Sequence, residues 1–286
     1  MPIETVSSWR DFDDAVGAAD AHGDRGARAH SSLVFRGLAR STYSNRCSLT
    51  RLGEGAARLE RHLIRNFRKY AHRERPGPTL WDWLSLAQHH GLPTRLLDWT
   101  FSPLVAAHFA TASCPDAEGI VWAVDCAAAH ELLPDPLRCA LDDEGATVFT
   151  TELLSEHAPT LERLDELGGD EPFVLFFEPP SLDDRIVNQS AVLSTMSDPT
   201  ADMDQWLAAN PDLWHAWRLS ADAKGEIRER LDQANVNERV LMPGLDGLAA
   251  WLRRYYAPVG STRDPLREGA AMVGPAASGT GQGEGG

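Results

Sequence analysis

The segment from Leu80 to Thr111, LWDWLSLAQHHGLPTRLLDWTFSPLVAAHFAT, constrains the fold more than any other part of this chain. Thr79 suits the N-cap of an apolar helix that ends near Gly91, where a residue without a Cβ fits the left-handed position. Pro93 disfavours helical backbone at the residue before it, so a turn follows the helix. The segment therefore begins with a helix whose end is fixed by local chemistry.

A second helix follows, with Ser102 as its N-cap and Pro103 at its first position. It is mostly apolar, so we expect it to be buried. The polar residues between the two helices concentrate at the ends of elements, where binding and catalysis usually occur. They are Gln88, His89, His90, Thr94, Arg95, Asp98, Trp99, Thr100 and Ser102. Each could simply cap a helix or satisfy a neighbour, but as a cluster they favour a functional site.

The composition predicts a folded protein of one large or two small domains. The chain has 286 residues, 43% of them hydrophobic, and a net charge of −15. That charge argues against non-specific binding to nucleic acid or anionic membranes. The four cysteines show no CxxC spacing, which is typical of a reduced cytoplasmic protein. We expect no signal peptide, because no N-terminal apolar run follows a basic start, and no membrane span, because no stretch approaches about 20 apolar residues.

One helix stands out because it is strongly basic. The pattern from Gly55 to His72 predicts an apolar face of Leu59, Leu63, Phe67 and Tyr70. The opposite face carries Arg58, Arg61, Arg65, Arg68 and Lys69. Such a run is either a solvated face or a surface that meets phosphate groups.

The remaining patterns predict a mixed α+β domain with a small central sheet flanked by helices. An apolar strand at 33–35 places Arg36 and Gly37 at its end, and 119–125 (GIVWAVD) and 173–177 (FVLFF) are further strands. We also expect a strand at 185–195 that carries Asn188 and Gln189, and a final helix at 245–256 with Leu245, Leu248, Trp251, Leu252 and Tyr255 on one face. The predicted divisions are a lead-in at 1–30, a domain at 31–258 and a disordered tail at 259–286.

Two motifs resemble the FRG-domain family, a bacterial family that takes its name from Phe-Arg-Gly. The first is Phe35-Arg36-Gly37, and the second, more specific one is QHHGLPTRLLDWT at 88–100 with Ser102-Pro103. The ending PGLDGL at 243–248 is also similar to that of the family. A further family segment, Arg-(x)3-Gln-Gln-Gly-x-Phe, is matched only at Arg185 and Gln189.

A looser similarity links the chain to NAD-dependent ADP-ribosyltransferases. In those enzymes an aromatic-Arg-Gly strand end and a Ser/Thr-x-Ser segment before an Ala-x-x-Phe-Ala helix flank the nicotinamide. Here 35–37 and TFSPLVAAHFA at 100–110 are similar in order and spacing. The resemblance implies an ADP-ribosyltransferase-like fold, NAD as the substrate, and an intracellular transferase that acts as a toxin or anti-phage effector. The acceptor would be a protein or a nucleic acid, without membrane involvement.

This reading assigns residues to roles. Breaking the bond between nicotinamide and ribose needs a cation near the pyrophosphate, hydroxyls around the nicotinamide and a carboxylate. The catalytic set is Arg36, Asp98, His90 and Gln189, and the nucleotide-binding set is Arg36, Gly37, His89, Thr94, Thr100 and Ser102. Arg36 has paired donors for phosphate oxygens. Gln189 stands where a transferase would place its glutamate, so Asp98, Glu178 and Glu238 are the acid candidates, with Asp98 first.

Several alternatives stay open at this point. Arg36 could instead be the buried ion-pair partner of Asp98. His89 could cap its helix, whereas His90 could act as an acid or base because its pKa is near neutrality. Adjacent histidines without a third ligand do not indicate a metal site. The rival functions are a non-catalytic module that binds a nucleotide or a protein, and a nuclease. The basic helix favours the nuclease, but the lack of a carboxylate cluster opposes it.

Overall fold

The computed structural model describes residues 3–22, 31–53 and 55–257. These residues form seven strands: β1 (Glu4–Val6), β2 (Leu33–Leu38), β3 (Leu97–Thr100), β4 (Gly119–Asp125), β5 (Val174–Phe177), β6 (Ala191–Met196) and β7 (Trp214–Leu219). The longer helices are α1 (Trp9–His22), α2 (Ala56–Tyr70), α3 (Leu80–His89), α4 (Pro103–Thr111), α6 (Asp135–Glu144), α8 (Leu161–Gly168), α11 (Ala221–Gln233) and α13 (Leu245–Tyr255). The shorter ones are α5 (Cys126–His130), α7 (Thr151–His157), α9 (Asp184–Asn188), α10 (Met203–Ala209) and α12 (Glu238–Leu241), with 3₁₀ turns at Ser48–Leu52 and Pro211–Leu213.

The strands make one mixed sheet in the order β1-β7-β4-β2-β3-β6-β5. The pair β1–β7 is parallel, and the other neighbouring pairs are antiparallel. The expected α+β architecture, a sheet flanked by helices, is therefore confirmed. The centre of the sheet is the junction of β2 and β3, which are paired in register at Phe35 and Thr100.

Helices cover one face of the sheet in two groups. In the first group α3, α7 and α8 pack against β5 and β6, with Trp81, Leu84 and Leu164 in that core. The second group is α1, α4 and α11, which cover β2, β4 and β7 in a core that includes Phe12 and Trp217. The opposite face is a third core, in which Trp99 of β3 packs edge-on against Phe176 and which also includes Met203 and Trp214. The gap between α3 and α4, above the β2–β3 junction, is the position of the site.

The expected strand at 185–195 is wrong in its first half. Residues Asp184–Asn188 form the one-turn helix α9, because Oδ1 of Asp183 accepts the main-chain N–H of Ile186 at 3.0 Å. Ser190 has a φ of +45°, which breaks the backbone before β6 begins at Ala191. Alternation of apolar residues over so short a stretch does not separate helix from strand.

The predicted apolar faces of two amphipathic helices are wrong in part: Phe67 packs against a core, and Leu248 and Trp251 are half-buried, but other members of each face are exposed. In α2 the buried residues are Ala56, Glu60 and Ile64, whereas Leu59 and Tyr70 are 46% and 78% exposed. Glu60 is buried because Arg95 bonds to it, whereas Tyr70 at the end of α2 stays exposed.

In α13 the expected core residue Leu245 is 81% exposed, and Tyr255 is 63% exposed. The contact that fixes α13 is Gly247, where a Cβ would lie 1.8 Å from the carbonyl oxygen of Met242. Arg254 adds charged bonds to Asp232 and Glu238. This helix is therefore anchored by backbone approach and ion pairs rather than by its apolar stripe.

Two predicted segments lie outside the described residues, namely the tail at 259–286 and the last eight residues of the lead-in, 23–30. The described part of the lead-in forms β1 and α1. Within the described ranges, no helix combines the length and the apolar character that crossing a bilayer would require.

Candidate functional site

The helix α3 brings polar side chains to the site because its start and end are both fixed locally. Thr79 and Asp82 form a capping box, in which each side chain accepts the other residue's main-chain N–H, at 3.0 and 2.8 Å. The helix ends at the HHG turn. Ser85, Gln88 and His89 lie on one side of it, because they occupy positions i, i+3 and i+4. That side faces α4 across the β2–β3 junction.

A cavity of ≈240 Å³ lies between these elements. Its lining comes from β2, α3, β3, α4, α9 and β6. The residues are Phe35, Arg36, Gly37, Ser85, Gln88, His89, Asp98, Trp99, Thr100, Val105, Phe109, Pro179, Arg185, Ile186, Gln189, Ala191 and Leu193. We refer to it as the central cleft. It collects six residues of the predicted site, Arg36, Gly37, His89, Asp98, Thr100 and Gln189.

Arg36 joins the two central strands at the floor of the cleft. Its Nη1 donates to the main-chain oxygen of Asp98 at 2.5 Å. Burial lowers the pKa of its guanidinium, and the field of Arg51 lowers it further, whereas Asp98 opposes the shift. Its Nε is buried without a hydrogen-bond partner among the described residues. An unpaired buried donor costs about 1–3 kcal/mol, so packing alone does not explain the position of this guanidinium.

The carboxylate of Asp98 is held by a chain of side chains rather than by Arg36. Oδ2 of Asp98 accepts from Nε2 of Gln88 at 3.0 Å, and Oε1 of Gln88 accepts from the hydroxyl of Thr94 at 2.5 Å. Asp98 is exposed to the cleft. The carboxylate is therefore both oriented and accessible. A direct ion pair with Arg36 would make it less accessible.

Thr100 and Gln189 form the corner of the cleft. The hydroxyl of Thr100 donates to the main-chain oxygen of Gln189 at 2.6 Å and accepts from the N–H of Ser102 at 3.0 Å. Nε2 of Gln189 donates to the main-chain oxygen of Leu241 at 2.9 Å. These bonds tie the end of α9 to β3 and α12, so the corner is pre-formed.

His89 and Arg185 complete the rim. Nε2 of His89 lies 2.7 Å from Oδ2 of Asp183. Burial lowers the pKa of His89, and the charges of Arg185 and His90 lower it further, while Asp183 opposes them. Arg185 and Arg36 together give the cleft lining two guanidinium groups against one lining carboxylate, that of Asp98. In a chain of net charge −15 the cleft lining therefore carries a local excess of positive charge.

Three predicted site residues do not line the cleft. Thr94 is fully buried and positions Gln88 instead. Ser102 is the N-cap of α4, accepting the N–H of Val105 at 3.4 Å. His90 is exposed on the far side of the turn, its ring 6.4 Å from that of Phe67. Adjacent side chains in a turn point in different directions, so His89 lines the cleft whereas His90 lies on the surface.

Of the three candidate acids, Asp98, Glu178 and Glu238, only Asp98 is among the residues that line the cleft. Glu238 is bound by Arg228 and by Arg254, which hold its pKa down to about 2 against the effect of burial. It belongs to a structural network outside the cleft lining. Glu178 is exposed beside Pro179 at the end of β5. Asp98 is thus the carboxylate in the cleft lining. Over the described residues, no group of three or more His, Cys, Asp or Glu is placed to hold a metal ion.

Two cleft residues were not assigned roles from the sequence. Gln88 belongs to the dense polar segment, and its signal was its position on the same helix face as Ser85 and His89. Arg185 was read as the entry to a strand, whereas α9 places it at the rim.

Residues 31–118 match the family model of the FRG domain. This match covers both central strands, α2, α3 and α4, and therefore the part of the cleft that carries Arg36, Asp98 and Thr100. The FRG resemblance read from the motifs is supported over this range. Neither the curated proteins nor the solved structures contain a significant match to the chain.

Proposed function

We propose that this protein is an ADP-ribosyltransferase-like enzyme that uses NAD as its substrate. The observation that supports the proposal is the central cleft, where Arg36, Asp98, Thr100 and Gln189 come together from three separate segments, β2, β3 and the end of α9. The guanidinium groups of Arg36 and Arg185 in the cleft lining suit an anionic pyrophosphate. The cavity is below the ~300–1,000 Å³ of most ligand pockets, which fits one ring with its sugar better than a whole dinucleotide.

NAD supplies a glycosidic bond that breaks between ribose C1′ and the nicotinamide nitrogen. The bonding electron pair leaves with nicotinamide, and an acceptor oxygen or nitrogen bonds to C1′ and loses its proton. The protein's part is to orient the groups and to stabilise positive charge at the sugar. Asp98, oriented by Gln88, is the carboxylate we assign to that charge. Thr100 shapes the nicotinamide end, and Arg36 binds the phosphates.

We propose a toxin or anti-phage effector as the biological setting, with a macromolecular acceptor. The second candidate is a non-catalytic module that binds a nucleotide or a protein partner in the same cleft. One observation favours it: the position of the expected transferase glutamate is Gln189, whose amide is engaged with Leu241. The two candidates share the binding site and differ in turnover.

The test is incubation of the purified protein with NAD labelled in the adenylate phosphate, together with a cell lysate. We expect label to enter a macromolecule and nicotinamide to be released. Arg36→Gln should lower the rate by about 10²–10³-fold, as removal of a charge-stabilising donor does in other enzymes. The matched control is Arg10→Gln on α1, an exposed arginine outside the cleft lining.

Arg36 also bonds Asp98, so thermal melting must show that Arg36→Gln is folded. Asp98→Asn, which keeps the shape of the side chain, is the second variant and should also lose turnover. Retained NAD binding without release of nicotinamide would instead support the binding module. Absence of both turnover and nucleotide binding by the folded protein would exclude the proposal.

A further inference from the structure

The outer face of α2 is a positive surface on an acidic protein. Residues 51–75 hold eight of the 27 Lys and Arg residues but three of the 42 Asp and Glu. One of those acids, Glu60, is buried and bonded to Arg95, so it does not offset the outer face. The outer basic residues are Arg58, Arg61, Arg65, Arg68 and Lys69, all exposed.

Their spacing makes a stripe. Steps of three or four residues keep successive side chains on one side of a helix. From Arg58 to Lys69 the stripe is about 16 Å long at a rise of ~1.5 Å per residue. A compact anion would meet one or two of these groups, whereas a chain of phosphates can meet all of them.

The C-terminal half of the stripe is the part free to bind. Nη1 of Arg61 is paired with Glu162 of α8 at 2.6 Å. Across the described parts of the chain, Arg65 and Lys69 have no acidic partner within salt-bridge distance. Arg65 contacts His62, and the ammonium of Lys69 lies over the ring of Tyr70 at 5.4 Å. Acidic residues more than about 8 Å away are largely screened at physiological ionic strength.

Aromatic groups accompany these charges. Tyr70 is 78% exposed at the end of α2. The guanidinium of Arg68 lies 5.1 Å from the ring centre of Trp83, which fixes it against α3. Positive charge along a track with exposed aromatic rings is the combination that binds unpaired bases and their backbone together.

We propose that the face of α2 formed by Arg65, Arg68, Lys69 and Tyr70 binds single-stranded nucleic acid. The phosphodiester backbone meets the charged groups, and a base stacks on the ring of Tyr70. A polyanion complements this charge, while the exposed tyrosine favours unpaired bases over a duplex.

The surface adjoins the central cleft. Phe67 of α2 meets the ring of His90, and His90 lies 5.3 Å, ring to ring, from His89 on the cleft rim. A strand bound along α2 would therefore pass the end of α3. The binding itself does not depend on which reaction the cleft performs.

The test is fluorescence anisotropy with labelled 12-mers of single-stranded RNA, single-stranded DNA and duplex DNA over a range of salt. We expect single strands to bind and the affinity to fall with salt. Arg65→Gln with Lys69→Gln should weaken binding by about 10-fold or more at low salt. It should also reduce the salt slope by about 1.4, since each phosphate contact contributes ~0.7. Tyr70→Ala should weaken the binding of single strands by about 10-fold and leave the binding of duplex DNA unchanged.

The matched control removes the same charge elsewhere, through Arg10→Gln on α1 with Arg253→Gln on α13, both exposed. Equal weakening by the control pair, tighter binding of duplex than of single strands, or equal binding of a polyglutamate peptide would overturn the proposal. So would a dimer, seen by light scattering, that Arg65→Gln with Lys69→Gln dissociates while no oligonucleotide binds. Oligonucleotide binding without NAD turnover would support this inference and exclude the proposed reaction. NAD turnover without oligonucleotide binding would support the reaction and exclude this inference.

Discussion

At the scale of single residues, Gly37 shows how one motif combines two requirements. Gly37 follows Arg36 in the central strand, and α4 crosses directly above it. A Cβ at this position would lie 1.8 Å from the carbonyl oxygen of Ala106 and 2.8 Å from the nitrogen of Ala110. The glycine of the Phe-Arg-Gly motif is therefore explained by the close approach of a helix backbone. It needs no ligand contact.

We predict that Gly37→Ala lowers the free energy of unfolding by about 3 kcal/mol or more, because the clash is with main chain that cannot rotate away. Urea unfolding measures this change. The matched control is Gly17→Ala in α1, where nothing lies within 4 Å of the added Cβ. That substitution should be neutral or stabilising by about 0.5–1 kcal/mol. A folded Gly37→Ala protein of unchanged stability would show that α4 moves off the sheet at little cost.

At the scale of elements, Arg95 joins the turn before β3 to two helices outside the cleft lining, α2 and α8. Its Nε donates to Oε2 of Glu60 in α2 at 2.8 Å, and its Nη1 donates to Asp165 in α8 at 2.6 Å. The side chains of Arg95 and Glu60 are 3% and 2% exposed. Burial raises the pKa of Glu60, and the bonds from Arg95 oppose that rise. Arg95 belongs to the QHHGLPTRLLDWT block, but its role is to fix α2 and α8 around the turn before β3.

We predict that Arg95→Met destabilises the protein by about 3–5 kcal/mol, because it leaves the Glu60 carboxylate buried without a cation. Adding Glu60→Leu should recover most of that loss, since Asp165 is 43% exposed and can be solvated. Denaturant unfolding of the two single variants and the double variant measures the coupling. The exposed pair Arg138–Asp135 is the control, and Arg138→Met should cost no more than about 1 kcal/mol. Additive losses in the buried pair would argue against this account.

At the scale of the whole molecule, the range that matches the FRG domain is not a complete structural unit. Residues 31–118 contain β2 and β3, which share one register pair, Phe35 with Thr100. The long partner of β2 is β4, which pairs with it at six positions, and the partner of β3 is β6 at four positions. Both partners lie beyond residue 118.

We predict that a fragment of residues 31–118 does not fold cooperatively, because both of its strands lose their main partners. Residues 3–257 should unfold in a single cooperative transition under the same conditions. Far-UV circular dichroism during urea unfolding distinguishes the two. A cooperative transition in the short fragment, with native-like near-UV dichroism, would show that the helices α2 to α4 suffice for a fold.

The sequence alone determined the features that depend on near neighbours in the chain. The capping box of α3, the Ser102–Pro103 start of α4 and the apolar strand at Gly119–Asp125 are each set by residues within one turn or one strand. The polar cluster at 88–102 was also visible, because its members are close in sequence. The fold class followed from these patterns.

The tertiary structure decided which polar groups meet. Arg36 and Asp98 are 62 residues apart, and Gln189 lines the cleft from the end of α9, where the sequence predicts a strand. Of the two adjacent histidines, His89 faces the cleft and His90 faces α2. The apolar stripes of α2 and α13 did not predict their buried faces correctly, because burial depends on the distant residues that each helix contacts. Here these are Arg95, Glu238 and Asp232. Periodicity records which residues share a face, but the free energy of packing against the rest of the chain chooses the face that is buried.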